Sequence, residues 1–313
     1  MDTPILFLIF NRPDTTQKVF ERIREIQPKY LYIAADGPRK DKAGEYELCE
    51  RTRAIINVDW NCEVKTLYRD VNLGCGKGPS SAINWFFNHV EEGIILEDDC
   101  LPDRSFFTFC KELLDYYKDN DSIMHIGGTN SQFGKKRGNA SYYFSKYPHI
   151  WGWATWKKSW QQFRFSFTDE DEQKLEIIFN KYKFTEKEKK YWIEHWNIVK
   201  EGKREDIWDI QWTFSCWLNN GISIVPNYNL ISNIGFNETA THTKSKESKL
   251  ANIATVKLKK IIHPNLIAIN NTADYYTFSK YNLLESSTPS QIKNWISSKI
   301  PNSIKFKLKK IIR

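Results

Sequence analysis

The chain has 313 residues and a mass of 37.0 kDa, enough for one large domain or two small ones. With 27% charged and 41% hydrophobic residues it is neither wholly disordered nor low in complexity. The net charge of +8 is uneven: Lys244 to Arg313 hold 14 Lys plus Arg against 3 Asp plus Glu, leaving a faintly acidic body. That distribution argues against a nucleic-acid partner, since such a binder carries its basic and aromatic residues together on the folded body.

Short apolar runs alternate with amphipathic ones through the first half. Pro4 to Phe10 predicts a buried strand. Asn11-Arg12-Pro13-Asp14 then leads into a helix with Val19, Phe20, Ile23 and Ile26 on one face. Tyr30 to Ala35 is the next strand, ended by Asp36-Gly37-Pro38, and Tyr46, Cys49, Arg53 and Ile56 lie at helical spacing. Val64 to Tyr68 is a third strand. A Gly-rich loop, Asn72 to Pro79, separates it from a helical stripe of Ala82, Ile83, Phe86, Phe87 and Val90. Gly93 to Leu96 is a fourth strand running into Glu97-Asp98-Asp99, and Phe106 to Tyr117 repeats the helical period. Such alternation predicts βαβ units and a mostly parallel sheet.

Beyond Ile123 to Ile126 the alternation fades. Gly127 to Pro148 reads as a polar loop with short strands, Trp151 to Trp160 as a Trp-rich block, and Glu172 to Glu201 as charged helices. Trp208, Trp212, Ser215 and Cys216 share a helical face, and Gly221 to Pro226 reads as a strand. After Lys244 an appendage is expected that wraps back on the domain and ends in a basic helix. Asn302 to Arg313 alternates apolar and basic residues, which suits peripheral contact with an anionic membrane surface; a solvated tail is the other reading. Six cysteines without CxxC or Cys/His metal spacing predict reduced thiols, and the first apolar run, stopping at Asn11, is too short for a signal core or a membrane span. The expectation is a cytoplasmic protein, peripheral at the inner face of the membrane if the tail binds lipid.

In an open parallel sheet, ligands bind beyond the carboxyl ends of the strands. Here those positions are Asn11-Arg12, Asp36-Gly37, Arg69 to Lys77 and Glu97-Asp98-Asp99, polar in every case. Three consecutive carboxylates at a strand end repel one another unless a cation neutralises them, and a hard divalent ion is the natural candidate. The alternative is an acidic turn capping a helix from Asp103. Asn72 to Gly78 has the look of a phosphate cradle but lacks GxxxxGK[ST] spacing, and no GxGxxG follows the first strand.

Strand-Asn-Arg-Pro, strand-Asp-Gly, Asn-x-Gly and Ile-Leu-Glu-Asp-Asp, in that order, resemble the nucleotide-diphospho-sugar glycosyltransferases of the GT-A fold. Glu97-Asp98-Asp99 with Pro102-Asp103-x-x-Phe106-Phe107 is similar to the N-acetylglucosaminyltransferase that starts complex N-glycans. So are Trp151-Gly152-Trp153 and Trp208-Asp209-Ile210-Gln211-Trp212. With Asn233 to Phe236 and Ala240 to Thr243, the whole also resembles bacterial sugar transferases from surface-polysaccharide loci. The resemblance spans Pro4 to Thr243.

It implies a GT-A domain over 1–243, with residues 1–126 the nucleotide-sugar half and 127–243 the acceptor half, and a basic appendage over 244–313. That fold is α/β, a Rossmann-like, mostly parallel sheet flanked by helices. It further implies that Asp99 and His242 bind Mn²⁺ or Mg²⁺, that Asn11, Arg12, Asp36, Arg69, Asn72, Gly74 and Asp98 hold the nucleotide, and that Glu97, Trp151, Trp208 and Trp212 face sugar. Glu-Asp-Asp stands where the family commonly has Asp-x-Asp. Inverting transfer needs a base for the acceptor hydroxyl, and Asp209, between two tryptophans, is the first candidate, with Asp206 and Glu205 as rivals. The Trp151, Trp153, Trp156 and Trp160 block is read as an acceptor wall or as core. The implied activity is transfer of a sugar from a nucleotide-diphosphate donor, UDP-linked by expectation, to a glycan or lipid-linked glycan. The alternatives are a sugar-nucleotide nucleotidyltransferase and a non-catalytic glycan-binding protein.

Overall fold

The computed structural model describes residues 1–236 and 248–285, the last five by backbone only. Strand β1 (Ile5–Ile9) is apolar at every position because it is buried on both faces, as a central parallel strand must be. Pro13 opens α1 (Pro13–Ile26), where its missing N–H costs nothing, and Thr16, Val19, Phe20 and Ile23 form the buried stripe. The strand β2 (Tyr30–Ala35) follows, then α2 (Glu45–Ala54), whose buried residues are Glu45, Cys49 and Thr52. The face expected from Tyr46 is thus one residue out of phase: Tyr46 is exposed, and a carboxylate is buried in its place.

After β3 (Glu63–Tyr68), helix α3 (Gly74–Phe87) begins inside the run expected to be a loop. Next come β4 (Glu92–Glu97), a short β5 (Cys100–Pro102) and α4 (Arg104–Tyr117). Asp103 caps α4, its carboxylate accepting from the Ser105 N–H at 2.8 Å. Then follow β6 (Ile123–Gly127), β7 (Tyr142–Ser145), β8 (Trp153–Trp156) and the helices α5 (Lys157–Trp160), α6 (Asp169–Glu172), α7 (Leu175–Lys181), α8 (Glu186–Lys200) and α9 (Asp209–Leu218). The elements β9 (Ile222–Pro226), β10 (Ile231–Asn233) and α10 (Asn271–Glu285) complete the order.

Eight strands form one sheet in the order β3-β2-β1-β4-β8-β6-β9-β7. β3, β2, β1 and β4 are parallel, as are β6 and β9, whereas β8 runs antiparallel between β4 and β6. A second small sheet pairs β10 with β5, Asn233 opposite Cys100. The architecture is therefore an α/β fold with a mostly parallel, Rossmann-like central sheet flanked by helices. Among the described residues no helix is long and apolar enough to cross a membrane.

One compact unit runs from Met1 to Asp274 and a second from Tyr275 to Arg313, described only to residue 285. Residues 248–274 belong to the first unit. They run back along it through backbone bonds from Asn252 to Asn233, Val256 to Asn229, Ser141 to Ile262 and Asn270 to Phe144. The basic segment 302–313 and His242 lie outside the described residues.

Candidate active site

The chain places β2 and β3 on one side of β1 and then returns to place β4 on the other. In doubly wound sheets such a reversal forms a crevice, which here falls at the carboxyl ends of β1 and β4. Arg12 stands after β1, and its guanidinium donates to Asp99 Oδ2 at 2.6 Å and lies 3.6 Å from Asp98 Oδ1. The Phe10 N–H, the first beyond β1, donates to the other Asp98 oxygen at 3.1 Å. Asp98 and Asp99 are 6% and 7% exposed and Glu97 is half-buried, so three successive carboxylates crowd one strand end with one guanidinium beside them.

That imbalance raises the protonation of the cluster. Burial, with the charges of Asp99 and Asp98, pushes the Glu97 carboxyl up to about 8, and Asp209 adds to the effect. Burial and Asp99 push Asp98 up to about 7 against the pull of Arg12. Burial alone would lower the Arg12 guanidinium, but Asp98 and Asp99 hold it well above its ordinary range.

The side of the reversal expected to hold nucleotide is built from β2 and α3. Asp36 accepts from the backbone N–H groups of Gly37, Leu73 and Gly74 at 3.0 to 3.1 Å, so its carboxylate caps α3 from another strand. Burial raises it, the three N–H bonds working against that shift. The glycine run is explained by packing. Gly74 has φ +78°, a Cβ on Gly76 would fall 2.0 Å from the Glu205 carbonyl oxygen, and one on Gly78 would press on Asp36 at 3.1 Å. What reads as a phosphate cradle is a helix start whose amides already serve Asp36.

Asn72 donates to the Gly37 carbonyl at 2.8 Å, and Arg69 to Ser81 Oγ at 2.9 Å. Asn11 donates to Glu45 Oε1 at 2.9 Å, and Arg39 binds the same carboxylate through its own N–H and its guanidinium. Glu45 and Arg39 were missed from sequence because a carboxylate opening a polar helix and an arginine in the charged stretch before it both look solvated. The only signal is Arg39 following the strand-ending Asp36-Gly37-Pro38.

On the other wall, the Ile234 N–H donates to the Asp99 carbonyl at 2.9 Å, and a Cβ on Gly235 would fall 2.0 Å from Asp99 Oδ2. The 233–236 segment therefore lies directly on Asp99, and only glycine fits there. Trp151 is half-buried, edge-on to Phe236 at 5.6 Å. Asp209, in the first turn of α9, is half-buried and near enough to Glu97 to raise it. Its helix is brought to the crevice by the Gly76 contact and by Lys77, which meets Glu205 at 2.9 Å. Trp208 is the N-cap residue, so Asp209 does not serve as the cap. Asp206 is exposed and paired with Arg204 at 2.8 Å.

The remaining tryptophans do not line the crevice. Trp212 is fully buried, donates from Nε1 to His125 Nδ1 at 3.2 Å, and packs on Trp153 and Trp160. Trp208, 4% exposed, stacks on Trp153 at 5.8 Å. Trp153, Trp156 and Trp160 are buried as well. Apart from Trp151, the block is core: Trp153 and Trp160 pack on Trp208 and Trp212, and Trp156 is 4% exposed.

A divalent ion suits the chemistry of the cluster. Its donors are hard carboxylate oxygens, and its negative charge exceeds what Arg12 supplies. The arrangement is not that of a closed site. Asp99 Oδ2 is engaged by Arg12, and among the described residues no group of three or more His, Cys, Asp or Glu is placed to hold a metal. An ion bound at Asp99 therefore competes with the Arg12 guanidinium.

No family model matches the chain, and no curated protein does. Similar solved structures include a mannosyltransferase from Pyrobaculum calidifontis in complex with GDP-Man and Mn²⁺, at 11% identity over 50% of this chain and 46% of the other, with a TM-score of 0.33. A cytidylyltransferase from Leptospira borgpetersenii matches at 11% over 52% and 63%, with a TM-score of 0.32. An apo UDP-glucose pyrophosphorylase matches at 11% over 74% and 93%, with a TM-score of 0.39. The chain thus spans about half the length of the mannosyltransferase. At these values the functional reading rests on the crevice itself.

Proposed function

We propose that the protein is an inverting glycosyltransferase that moves a sugar from a nucleotide-diphosphate donor, UDP-linked, to a glycan or lipid-linked glycan in surface-polysaccharide synthesis. The observation that carries this reading is the surplus of buried carboxylate at the β1/β4 reversal, with Arg12 across it and Asp209 facing Glu97. Balanced ion pairs stabilise folds; a surplus held at a crevice is placed for a cationic or hydroxyl-rich ligand.

In this reading the nucleotide lies along Asn11, Arg12, Asp36, Arg69 and Asn72, and the sugar hydroxyls donate to Glu97 and Asp98. Trp151 is the ring that offers a face to sugar, since Trp208 and Trp212 are closed into the core. Asp99 would hold Mn²⁺ or Mg²⁺, with His242 the further ligand implied by the family resemblance. The ion, when bound, supplies charge neutralisation to the departing diphosphate. Asp209 takes the proton from the acceptor hydroxyl as its oxygen forms a bond to the anomeric carbon and the bond from that carbon to the diphosphate breaks.

Calorimetric titration of UDP with and without Mn²⁺, on wild type and Asp99→Ala, tests the donor site. Metal-dependent binding lost in the variant is expected; UDP binding that ignores both metal and substitution would sink the reading. Donor hydrolysis with Mn²⁺ separates transfer chemistry from glycan binding alone. Pyrophosphate release from a nucleoside triphosphate and a sugar phosphate would instead indicate a nucleotidyltransferase.

A further inference from the structure

The strap that leaves the crevice wall at Asn252 runs along α4, where the Leu258 N–H donates to Ser105 Oγ at 2.9 Å, and reaches the far end of that helix at His263. There the His263 ring stacks on Tyr116 at 3.9 Å and 7°. The strap bonds its backbone to the body yet leaves large apolar side chains in water. Leu266 is 77% exposed, Ile262 51% and Ile267 45%, and Tyr116 beside them is 58% exposed. A soluble surface scatters such residues singly, but here they crowd one turn.

On the strap itself the charge has one sign. From Ser248 to Thr272 the sequence has no Asp or Glu, and Lys257, Lys259 and Lys260 directly precede the apolar turn. The nearest carboxylate across the strap is Glu112 of α4, which lies 3.4 Å from His263 Nε2. Lysines flanking exposed Leu and Ile match a surface that is anionic outside and apolar beneath, as a bilayer with acidic headgroups is. A protein partner would match the apolar turn but has no comparable need for an acid-free run of 25 residues.

We propose that residues 256–267, with Tyr116, form the face by which the protein lies on an anionic lipid bilayer. The strap begins at Asn252, bonded to Asn233, two residues from the Gly235 that abuts Asp99, so this face ties the membrane to the crevice wall. The proposal does not depend on sugar transfer, because it is read on vesicles without any donor.

The test is flotation of the full chain with vesicles of phosphatidylcholine alone or with about 30% phosphatidylglycerol. Wild type should float with the anionic vesicles, weakly with neutral ones, and about ten-fold less when salt rises from about 0.1 M to 0.5 M. Leu266→Asp with Ile267→Asp, and separately Lys257→Glu with Lys259→Glu and Lys260→Glu, should each lower partitioning about ten-fold or more. Because all five side chains are at the surface, thermal midpoints should stay at the wild-type value; if the apolar variant fails to fold, the lysine variant decides alone. Wild type that ignores anionic vesicles, or variants that float as wild type does, would overturn the proposal. Sedimentation of lipid-free protein covers the remaining occupant: a dimer dispersed by Leu266→Asp would assign the face to a second copy and overturn it too.

Discussion

Two buried ionic clusters sit in the same molecule and obey opposite rules. Near β7 and α8, Lys146 and Glu188 are each 1% exposed and 2.9 Å apart. Glu188 also accepts from Tyr147 OH at 2.6 Å and from the Thr185 N–H and hydroxyl at 2.8 Å. Burial alone would raise Glu188, yet these partners hold it below its ordinary value. The neighbouring Asp274 carboxyl is raised by burial to about 7 and takes bonds from Ser145 OH and the Lys146 N–H. That cluster is closed and architectural: its carboxylates are met by donors of the fold itself. At the β1/β4 reversal three carboxylates face one guanidinium, and two of them are pushed far up. The difference teaches that burial of charge does not by itself point to a site; crowded carboxyls at a strand end, with few donors of the fold to hold them down, do.

The comparison breaks if the closed cluster proves dispensable to the fold. Glu188→Gln leaves the Lys146 ammonium buried without its counter-charge and should cost about 3–5 kcal/mol in urea unfolding. A loss under about 1 kcal/mol would place both clusters in one class. The tryptophans give the next largest effect. Trp212→Ala opens a cavity at a fully buried position and should cost about 3–5 kcal/mol. Trp151→Ala, at a half-buried ring, should cost about 1 kcal/mol and act instead on the acceptor KM. Equal stability losses at the two positions would remove Trp151 from the crevice wall.

The carboxylates of the reversal were legible in sequence, whereas the closed cluster of Lys146, Glu188 and Asp274 was not. The parallel half of the sheet could be read because β1, β2 and β4 are continuous apolar runs, and the polar residues directly after them are the ones the fold gathers. What could not be read depends on contacts between distant segments. Trp153 to Trp156 shows no period, and only pairing with β4 on one side and β6 on the other makes it a central antiparallel strand. The glycines of Gly74 to Gly78 locally favour a loop, but a carboxylate 38 residues upstream caps them into a helix. Trp208 and Trp212 flank Asp209 and looked like a sugar platform; the sequence contained no sign that Trp153 and Trp160 cover them.

A smaller effect separates the core by pH. Trp212 Nε1–H donates to His125 Nδ1, so that nitrogen must stay unprotonated, while Nε2 lies 3.0 Å from the His149 carbonyl as its donor. Burial lowers His125 to about 3, against about 6.5 in an unfolded chain. The unfolded state therefore binds the extra proton between those values. The stability that His125 contributes is complete above pH 6.5 and falls by about 1.4 kcal/mol per pH unit below it. His149, lowered by burial to about 4, adds the same sign. Asp274, Asp98 and Glu97 oppose them: their raised carboxyls give stability that is lost as pH rises through about 7 to about 8. His125→Gln should flatten the acid limb of the stability curve by about one proton's slope, and an unchanged limb would mean that His125 is not neutral in the fold.

The smallest expected effect on stability is the sharpest for function. Asp98→Asn removes one of the crowded carboxyls at the reversal while keeping a side-chain oxygen for the Phe10 N–H. Relief of repulsion with Asp99 and Glu97 should offset the weaker pairing with Arg12, so the unfolding free energy should stay level or rise by about 1 kcal/mol. Binding of the nucleotide donor should nonetheless weaken about ten-fold or more, because the lost charge served the ligand and not the fold. Both quantities come from one thermal-shift titration with UDP and Mn²⁺. A variant that unfolds as readily as Glu188→Gln would show that Asp98 belongs to the architecture after all, and the contrast between the two clusters would collapse with it.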